Sequence, residues 1–335
     1  MKQPDFAIDF IISWVNYDDP HWQKKYQQHA HADHDYSSRI RYRDYGTLKY
    51  ALRSIERYAP WVNKIFLVTD QQIPTWLCTT NDQLVVVDHQ DYIPQRFLPT
   101  FDSNVIELNY FQLPELAEHF VCFNDDMLLN KPVSPSDFFD QAGNPRDSLA
   151  LNSIMPTELF DHVYVNNLSI VNNLYPKATT MKHLFFRFFT WRNWEWNLLT
   201  LLLMPWPKFT RFYDPHIPLS FKKSSGQQIL EQYPVILEKT GAAKFRTADD
   251  FSIWVIRYLQ LLSSDFTPRS VHFGKQYNMQ NWAGFVQDVQ HSRHALLNIN
   301  DFDFSDPLDF QTAAKAVEEA LTTKFATQCS FEIKE

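Results

Sequence analysis

The sequence contains little cysteine and little glycine. Its three cysteines, Cys78, Cys122 and Cys329, are far apart, and their spacing fits neither a zinc site nor a disulfide framework. We therefore expect three reduced thiols, as in a cytoplasmic protein. Only six of the 335 residues are glycine, whereas 44% are hydrophobic and 16% are aromatic. This composition argues against disorder and predicts a chain that buries a sizeable core.

Long runs of one charge or of apolar residues are also missing. The formal net charge is −8, and no block of lysine and arginine is long enough to follow a phosphate backbone, which excludes nucleic acid as a partner. Residues 1–9 lack the apolar centre of a signal peptide. The longest apolar run near the middle, residues 198–204, is far shorter than the roughly 20 residues of a membrane span. We expect a soluble protein that at most attaches to a membrane surface.

Strand and helix patterns alternate through the first 130 residues. Four short apolar runs are typical of buried strands; they are residues 7–15, 65–68, 84–87 and 120–123. Residues 47–58 have apolar side chains at helical spacing, and Pro60 ends that helix. The alternation predicts an α/β fold with a mainly parallel sheet. In such folds ligands bind at the carboxyl ends of the strands.

The middle of the chain differs in composition. Residues 141–212 are rich in phenylalanine, tryptophan and leucine, and we predict a helical insertion there. It divides an α/β half, residues 1–140, from a C-terminal half, residues 213–335, which ends in a helix at residues 309–324. Two interpretations remain open for the aromatic residues 184–212. They form helices that pack in the core, or a face that binds a membrane surface or an acceptor.

An acidic pair gives the strongest chemical signal. Asp125 and Asp126 directly follow the predicted strand at residues 120–123, in the sequence Asn-Asp-Asp-Met. Two carboxylates at the carboxyl end of a strand suit Mg²⁺ or Mn²⁺ beside a nucleotide diphosphate. Because neighbouring strand residues point to opposite faces, we expect one aspartate to bind the ion and the other to fix the loop. Acidic pairs are common, so the pair alone does not establish a metal site.

Two further candidate sites lie at the end of the first predicted strand and at the start of a predicted helix. Trp14 and Asn16 lie at the first junction between strand and loop, where a base and a ribose could bind; a capped turn is the alternative. Asn104 begins a predicted helix at residues 104–113. There Ser103 or Asn104 caps the helix, or the helix terminus attracts a phosphate.

The C-terminal half contributes one histidine and several cations. His216 lies between two prolines in a stiff loop, as a solvated residue or as part of a site. Lys222, Lys223 and Arg246 are either solvated surface charges or cations that offset a pyrophosphate. Arg246 is the best single choice, because a planar guanidinium matches two phosphate oxygens at once.

These pieces, in this order, resemble the Stealth family, which includes bacterial capsule and exopolysaccharide phosphotransferases and the catalytic part of the lysosomal-enzyme N-acetylglucosamine phosphotransferase. The similar blocks are residues 8–20, 43–137, 213–223, 244–250 and 298–301. The second block is the most specific. It contains YGTLKYALRSIERYAPWVNKIFLVTDQQIPTWL, LPTFDSNVIE and HFVCFNDDMLLNKP.

The resemblance implies a fold and a reaction. The fold is a nucleotide-sugar transferase core related to GT-A enzymes. The reaction moves a sugar-1-phosphate from a UDP-sugar to a hydroxyl of a surface polysaccharide, or of a lipid-linked oligosaccharide, and releases UMP. It also implies Mg²⁺ or Mn²⁺ and a cytoplasmic protein at the inner face of the membrane. The alternatives are a metal-dependent glycosyltransferase that releases UDP, and a non-catalytic protein that binds nucleotide-sugars or glycans.

Six positions of this chain match the family's site residues: Asn104, Asp125, Asp126, His216, Arg246 and Asp301. The resemblance implies that Asp126, with Asp125, holds the divalent ion. Arg246 would bind the phosphate oxygens. His216 would act as general base or as a hydrogen-bond donor to phosphate, two roles that the sequence leaves open.

Overall fold

The computed structural model describes residues 5–30 and 42–334. Its strands are β1 Ile8–Ser13, β2 Ile65–Thr69, β3 Leu84–Asp88, β4 His119–Asn124, β5 Met127–Leu129, β6 Arg146–Asp147, β7 Leu219–Lys222, β8 Thr267–Pro268, β9 Gly274–Asn278 and β10 Leu296–Asn300. Its helices are α1 Pro20–His29, α2 Thr47–Tyr58, α3 Ser103–Leu108, α4 Pro135–Phe138, α5 His162–Leu174, α6 Lys177–His183, α7 Phe185–Phe188, α8 Trp194–Leu203, α9 Lys223–Gln232, α10 Val235–Thr240, α11 Trp254–Leu262, α12 Trp282–His291 and α13 Pro307–Lys324. None of the helices in these described residues is both long and apolar enough to cross a bilayer.

The main sheet has five strands in the order β3-β2-β1-β4-β7. The first four are parallel, and β7 pairs antiparallel with β4 at the edge. Phe10, Ile11 and Ile12 of β1 are completely buried, because helices cover both faces of a parallel sheet. The α/β class and the mainly parallel sheet are therefore confirmed, and β1 to β4 lie within two residues of the predicted runs.

A second, smaller sheet has the order β5-β10-β9. Its first strand, β5, follows β4 after a turn made only of Asp125 and Asp126. Strand β10 runs antiparallel to β5, and the amide of Ile299 donates to the carbonyl oxygen of Asp126 at 3.1 Å. The acidic turn thus joins the two sheets, and the chain that continues from β10 passes beside it.

Residues 141–212 contain the predicted helices, as α5 to α8. The two ends of this stretch meet: Leu151 and Phe212 form an antiparallel bridge, and Tyr213 donates its amide to the carbonyl of Ala150 at 2.9 Å. One apolar core cluster contains side chains from all three predicted stretches, for example Ile11, Leu168 and Leu259. The division of the chain at residues 140 and 212 stays a prediction.

The predicted helix at residues 104–113 is shorter in the structure. Helix α3 ends at Leu108, and a short 3₁₀ helix, Tyr110–Gln112, follows. The side-chain amide of Asn109 donates to the carbonyl of Val105 at 2.8 Å, a local bond that competes with continuation of the helix. The N-cap is Asp102, whose carboxylate accepts from the amide of Asn104 at 2.9 Å. The expectation that Ser103 or Asn104 caps the helix was wrong.

Candidate active site

The carboxyl ends of β1 and β4 open into two adjoining cavities. The first has a volume of about 200 Å³ and the second about 600 Å³. Both are lined by Asn124, Asp125, Asp126 and Arg246. The acidic pair and the distant arginine therefore face one cleft, at the edge of the sheet where α/β folds bind their ligands.

The acidic pair lies half-buried at the junction of the two cavities. Burial raises the pKa of Asp126 to about 7. Burial, followed by the charges of Asp126 and Asp44, raises the pKa of Asp125 well above its usual value. Oδ1 of Asp126 is buried without a hydrogen-bond partner. Crowded carboxylates in such a place are stabilised in their ionised form by a nearby positive charge.

The acidic pair fits a divalent cation. Mg²⁺ prefers oxygen ligands and usually takes one or two protein carboxylates, with water and phosphate oxygens in its other positions. The unpartnered Oδ1 of Asp126 is such a ligand atom. In residues 5–30 and 42–334 no cluster of three or more histidine, cysteine, aspartate or glutamate side chains could hold a metal. An ion here would therefore complete its shell with oxygens from water or from a bound phosphate.

Arg246 is held in position at the wall of both cavities. Its Nη2 donates to Oγ of Ser103 at 2.6 Å, and its Nε lies 3.5 Å from Oδ1 of the buried Asp102. Its guanidinium also lies over the ring of Phe160, 5.0 Å from the centroid. These three contacts orient the guanidinium, while a quarter of the side chain stays exposed. An oriented arginine loses little side-chain freedom when it binds an anion.

His216 lines the second cavity. Burial, and then the charge of Arg246, lowers the pKa of His216 to about 4. Its Nε2 lies 3.3 Å from Nδ2 of Asn124. The imidazole is therefore neutral at neutral pH and lies beside the acidic turn. The alternative that His216 is a solvated loop residue is wrong.

A buried ionic network holds the loop that carries His216. Asp214 accepts from Nε of Arg211 at 2.8 Å and lies 3.3 Å from Nη1 of Arg257. The completely buried Arg257 in turn donates to Asp147 at 2.6 Å. Sequence reasoning missed this network, because its members are far apart along the chain and no local pattern links them.

Asp301 also reaches the cleft, as the resemblance implied. Strand β10 runs toward the acidic turn, so the residues just after it line the second cavity. Oδ2 of Asp301 lies 2.9 Å from Nε of Arg43, and the Arg43 guanidinium lies 3.8 Å from the centroid of the Phe310 ring. Arg43 and Tyr45 line the same cavity but were not predicted as site residues. They lie in an irregular loop, where sequence periodicity gives no signal.

Trp14 lines the first cavity together with Trp22 and Phe101. Its indole Nε1 donates to Oδ2 of Asp44 at 2.9 Å. The ring is thereby fixed beside a carboxylate that also neighbours the acidic pair. Asp44, like Arg43, was not predicted from the sequence.

Asn16 and Asn104 line neither cavity. Oδ1 of Asn16 accepts from the amide of Asp18 at 2.9 Å, and the Asn16 backbone is held by the side chain of Gln72. Of the two sequence interpretations for Asn16, the position therefore agrees with the capped turn. Asn104 is buried on α3. Direct contact of either side chain with substrate is not supported by these positions.

Lys222 was assigned to the substrate site, and its position in the structure contradicts that assignment. It pairs with His119 at the amino end of β4, whereas Asn124 ends the same strand beside the cleft. His119 and Asn124 are five positions apart along β4, which corresponds to roughly 17 Å. Because β7 is antiparallel to β4, the last residue of β7 lies beside the amino end of β4, away from the cleft. Lys223 is also structural: its Nζ donates to the carbonyl of Leu113 at 2.6 Å.

The structure thus defines an α/β protein with an acidic, arginine-lined cleft at its strand ends. Residues 41–147 match the family described as "Stealth protein CR2, conserved region 2". The chain is 41% identical to an exopolysaccharide phosphotransferase of Lactiplantibacillus plantarum over 98% of this chain and 96% of the relative. It is 37% identical to a capsular polysaccharide phosphotransferase of Streptococcus pneumoniae, over 98% of each chain. It is 35% identical to a receptor polysaccharide phosphotransferase of Streptococcus oralis, over 97% of this chain and 99% of that protein.

This chain belongs to the Stealth family. The resemblance expected from the sequence is therefore confirmed, and the matched region agrees with the second block at residues 43–137.

Proposed function

We propose that this protein transfers a sugar-1-phosphate from a UDP-sugar to a hydroxyl of a surface polysaccharide and releases UMP. The observation that carries this proposal is the shared cleft, in which the Asp125–Asp126 turn, Arg246 and the neutral His216 come together. The names of the relatives support transfer of phosphate to a polysaccharide. A core of the GT-A type, with the donor at the carboxyl ends of parallel strands, agrees with this placement.

The first cavity is the proposed binding place of the donor nucleotide. Trp14, Trp22 and Phe101 give it an aromatic wall, and flat aromatic rings suit stacking against a uracil base. The pyrophosphate would then lie where the two cavities meet, between Asp126 and Arg246. Both residues line both cavities.

Charge at the pyrophosphate is neutralised from two sides in this proposal. Asp126, with Asp125, would hold Mg²⁺ or Mn²⁺, which supplies Lewis-acid stabilisation of phosphoryl oxygens when bound. Arg246 would donate two hydrogen bonds to non-bridging oxygens. Its contacts with Ser103 and Asp102 fix the guanidinium before the substrate arrives, and such preorganisation accounts for much of electrostatic catalysis.

The second cavity would hold the acceptor. Its hydroxyl oxygen attacks the β-phosphorus, the bond from that phosphorus to the bridging oxygen breaks, and UMP leaves with that oxygen. The sugar's anomeric bond is untouched. His216 is neutral and can take the hydroxyl proton. Its low pKa would rise once the anionic donor lies beside it, because a nearby negative charge favours the protonated ring.

The nucleotide product tests the proposal. The protein is incubated with a panel of UDP-sugars and a polysaccharide acceptor, and released nucleotides are separated by ion-exchange chromatography. Acceptor-dependent UMP supports phosphoryl transfer. UDP would instead identify a glycosyltransferase, and donor binding without turnover would identify a non-catalytic binding protein.

The acceptor and the place of action complete the proposal. A UDP-sugar is a cytoplasmic metabolite, so we infer action in the cytoplasm at the inner face of the cell membrane. A lipid-linked oligosaccharide is the proposed form of the acceptor. Acceptor still attached to lipid in a detergent micelle should then be used more efficiently than the free oligosaccharide.

A further inference from the structure

The aromatic stretch exposes an unusual amount of apolar surface. Seven large side chains of helix α7, helix α8 and the turn between them are exposed: Phe185, Phe186, Trp191, Trp194, Leu198, Leu201 and Leu202. Phe186 is 86% exposed and Trp191 is 83% exposed. We call these seven residues, with Trp206, the apolar face. Isolated exposed apolar residues are normal, but the eight of the apolar face, all within residues 185–206, indicate an interaction surface.

Helix α8 is apolar on both of its sides. Thr200 and Leu203 are buried, whereas Trp194, Leu198 and Leu202 are exposed at a spacing of four residues. A helix that is hydrophobic all round is stable only when an apolar environment covers it on every side. In residues 5–30 and 42–334 no protein segment covers the outer side of α8. The inner side of α8 therefore packs in the protein, as one sequence interpretation predicts, and its outer side presents apolar side chains to the surroundings.

The charges around the apolar face are mostly positive. Residues 177–212 contain six lysines and arginines and one acidic residue, Glu195, in a chain of net charge −8. Among the cations Lys182, Arg192 and Lys208 are exposed. In a two-fold dimer through this face the same cations would meet and repel each other, whereas an anionic lipid headgroup would be attracted. The charge pattern therefore favours a membrane over self-association.

The aromatic composition favours the same occupant. Four of the ten tryptophans lie in residues 184–212, and Trp191, Trp194 and Trp206 are exposed. The Arg192 guanidinium lies 5.3 Å from the centroid of the Trp191 ring. Tryptophan beside arginine is typical of the boundary between headgroups and acyl chains. Because α8 has only ten residues, it can lie in this boundary but cannot cross the bilayer.

We propose that the apolar face docks on an anionic lipid bilayer, with α8 lying in the plane of the headgroups. The tryptophans and leucines enter the interface, and Lys182, Arg192 and Lys208 bind lipid phosphates. The inference of docking depends only on the exposed apolar side chains and the exposed cations, and not on the proposed reaction. The purpose of the docking, to bring a lipid-linked acceptor to the cleft, rests on the proposed function.

The chain connects this face closely to the cleft. The Trp196 ring packs 4.4 Å, centroid to centroid, from the Tyr213 ring, and Tyr213 lies three residues before His216. His216 follows Trp206 by ten positions, so the two lie at most roughly 36 Å apart. A docked molecule would hold its acceptor cavity near the membrane surface.

Vesicle co-sedimentation tests the docking directly. The full chain, without donor, is spun with vesicles of phosphatidylcholine alone and with vesicles of phosphatidylcholine and phosphatidylglycerol at roughly 7:3. We expect strong binding only to the anionic vesicles. The combined change Trp191→Gln, Trp194→Gln and Leu198→Gln should lower the partition coefficient at least ~10-fold. The matched control, Ile73→Gln with Leu308→Gln, changes two apolar side chains that are exposed elsewhere and should bind like the wild type.

Other outcomes separate the alternatives. Equal vesicle binding by the triple variant and the wild type would overturn the proposal. So would a wild-type dimer that the triple substitution dissociates while neither protein binds vesicles, because the face would then join two copies. The triple variant should still release UMP with a water-soluble acceptor. Absence of UMP from the wild type as well would count against the proposed function and leave the docking result intact.

Discussion

Nδ2 of Asn124 lies 3.3 Å from Nε2 of His216, which joins the end of β4 to a loop 92 residues further along the chain. Asn124 directly precedes the acidic pair. The same contact therefore connects the proposed cation-binding turn with the proposed general base, and a change on one side of the cleft will be felt on the other.

Asp126→Asn should abolish turnover and leave the fold intact. Substitution removes a charged ligand of the proposed ion, whereas the loss of a half-buried carboxylate whose pKa is raised to about 7 does not lower stability at neutral pH. UMP release and the thermal midpoint are measured in parallel. The control is Asp82→Asn at an exposed position. Retained activity of Asp126→Asn, or activity that EDTA does not stop, would contradict the metal role.

Arg246→Lys should lower kcat/KM about 10²–10³-fold. A lysine ammonium keeps the charge but cannot make the paired contact of a guanidinium, and it would also lose the bond to Ser103. Steady-state kinetics with varied UDP-sugar concentration measure the effect. Arg96→Lys is the matched control, since Arg96 is exposed and pairs with Glu238 away from the cleft. Near-normal kinetics for Arg246→Lys would remove Arg246 from the site.

His216→Gln should lower kcat about 10²–10⁴-fold, because glutamine keeps a hydrogen-bonding group but cannot take a proton. Since burial and Arg246 lower the pKa of His216 to about 4, the free imidazole stays neutral when the pH falls through 6.5. NMR of selectively labelled histidine over this range should show no titration of His216. An inflection near the ordinary histidine pKa would show that the ring is solvated.

Glu332→Gln should destabilise the fold by about 3 kcal/mol, the typical cost of leaving a buried charge unpaired. Glu332 accepts from Nε and Nη2 of Arg53, both at 2.6 Å, and thereby ties the C-terminal tail to α2. Burial alone would raise the pKa of Glu332, but hydrogen bonds from Arg53 and from the Cys329 amide hold it at about 2, below the ordinary 4.5.

The pH dependence of this pair has a definite sign. A carboxylate with a lowered pKa stabilises the fold above its unfolded pKa, and the stabilisation is lost as the pH falls from 4.5 to about 2. Urea unfolding should therefore separate wild type from Glu332→Gln widely at neutral pH and progressively less below pH 4.5. Glu319→Gln, at an exposed position of α13, is the control. A difference that does not depend on pH would exclude the ionic explanation.

The sequence was most informative where structure depends on neighbouring residues. Helix α2 has the bounds that its apolar spacing predicts, and the first four strands follow from short apolar runs. Asp125 and Asp126 were identifiable because a strand end in an α/β fold is a probable ligand site. These features need only local pattern and a general rule of topology.

Long-range pairing accounts for what the sequence did not reveal. Strand β10 was not predicted, and its register with β5 is what brings Asp301 to the cleft. Lys222 was placed wrongly because its strand direction depends on pairing with β4. Arg43 and Asp44 lie in an irregular loop, and their roles emerge only from contacts with Asp301 and Trp14. No periodicity encodes such contacts.

The backbone pairing of Leu151 with Phe212 closes the helical stretch into a long loop whose two ends are fixed together. A chain excursion that leaves and returns at a fixed point can gain, lose or exchange residues at small entropic cost, which grows only slowly with length. Positions that do not touch the cleft, such as the exposed outer side of α8, can therefore change while Phe160 keeps its place over Arg246. Such changes would alter what the outer surface of the protein meets and leave the contacts of Arg246 with Ser103 and Asp102 in place.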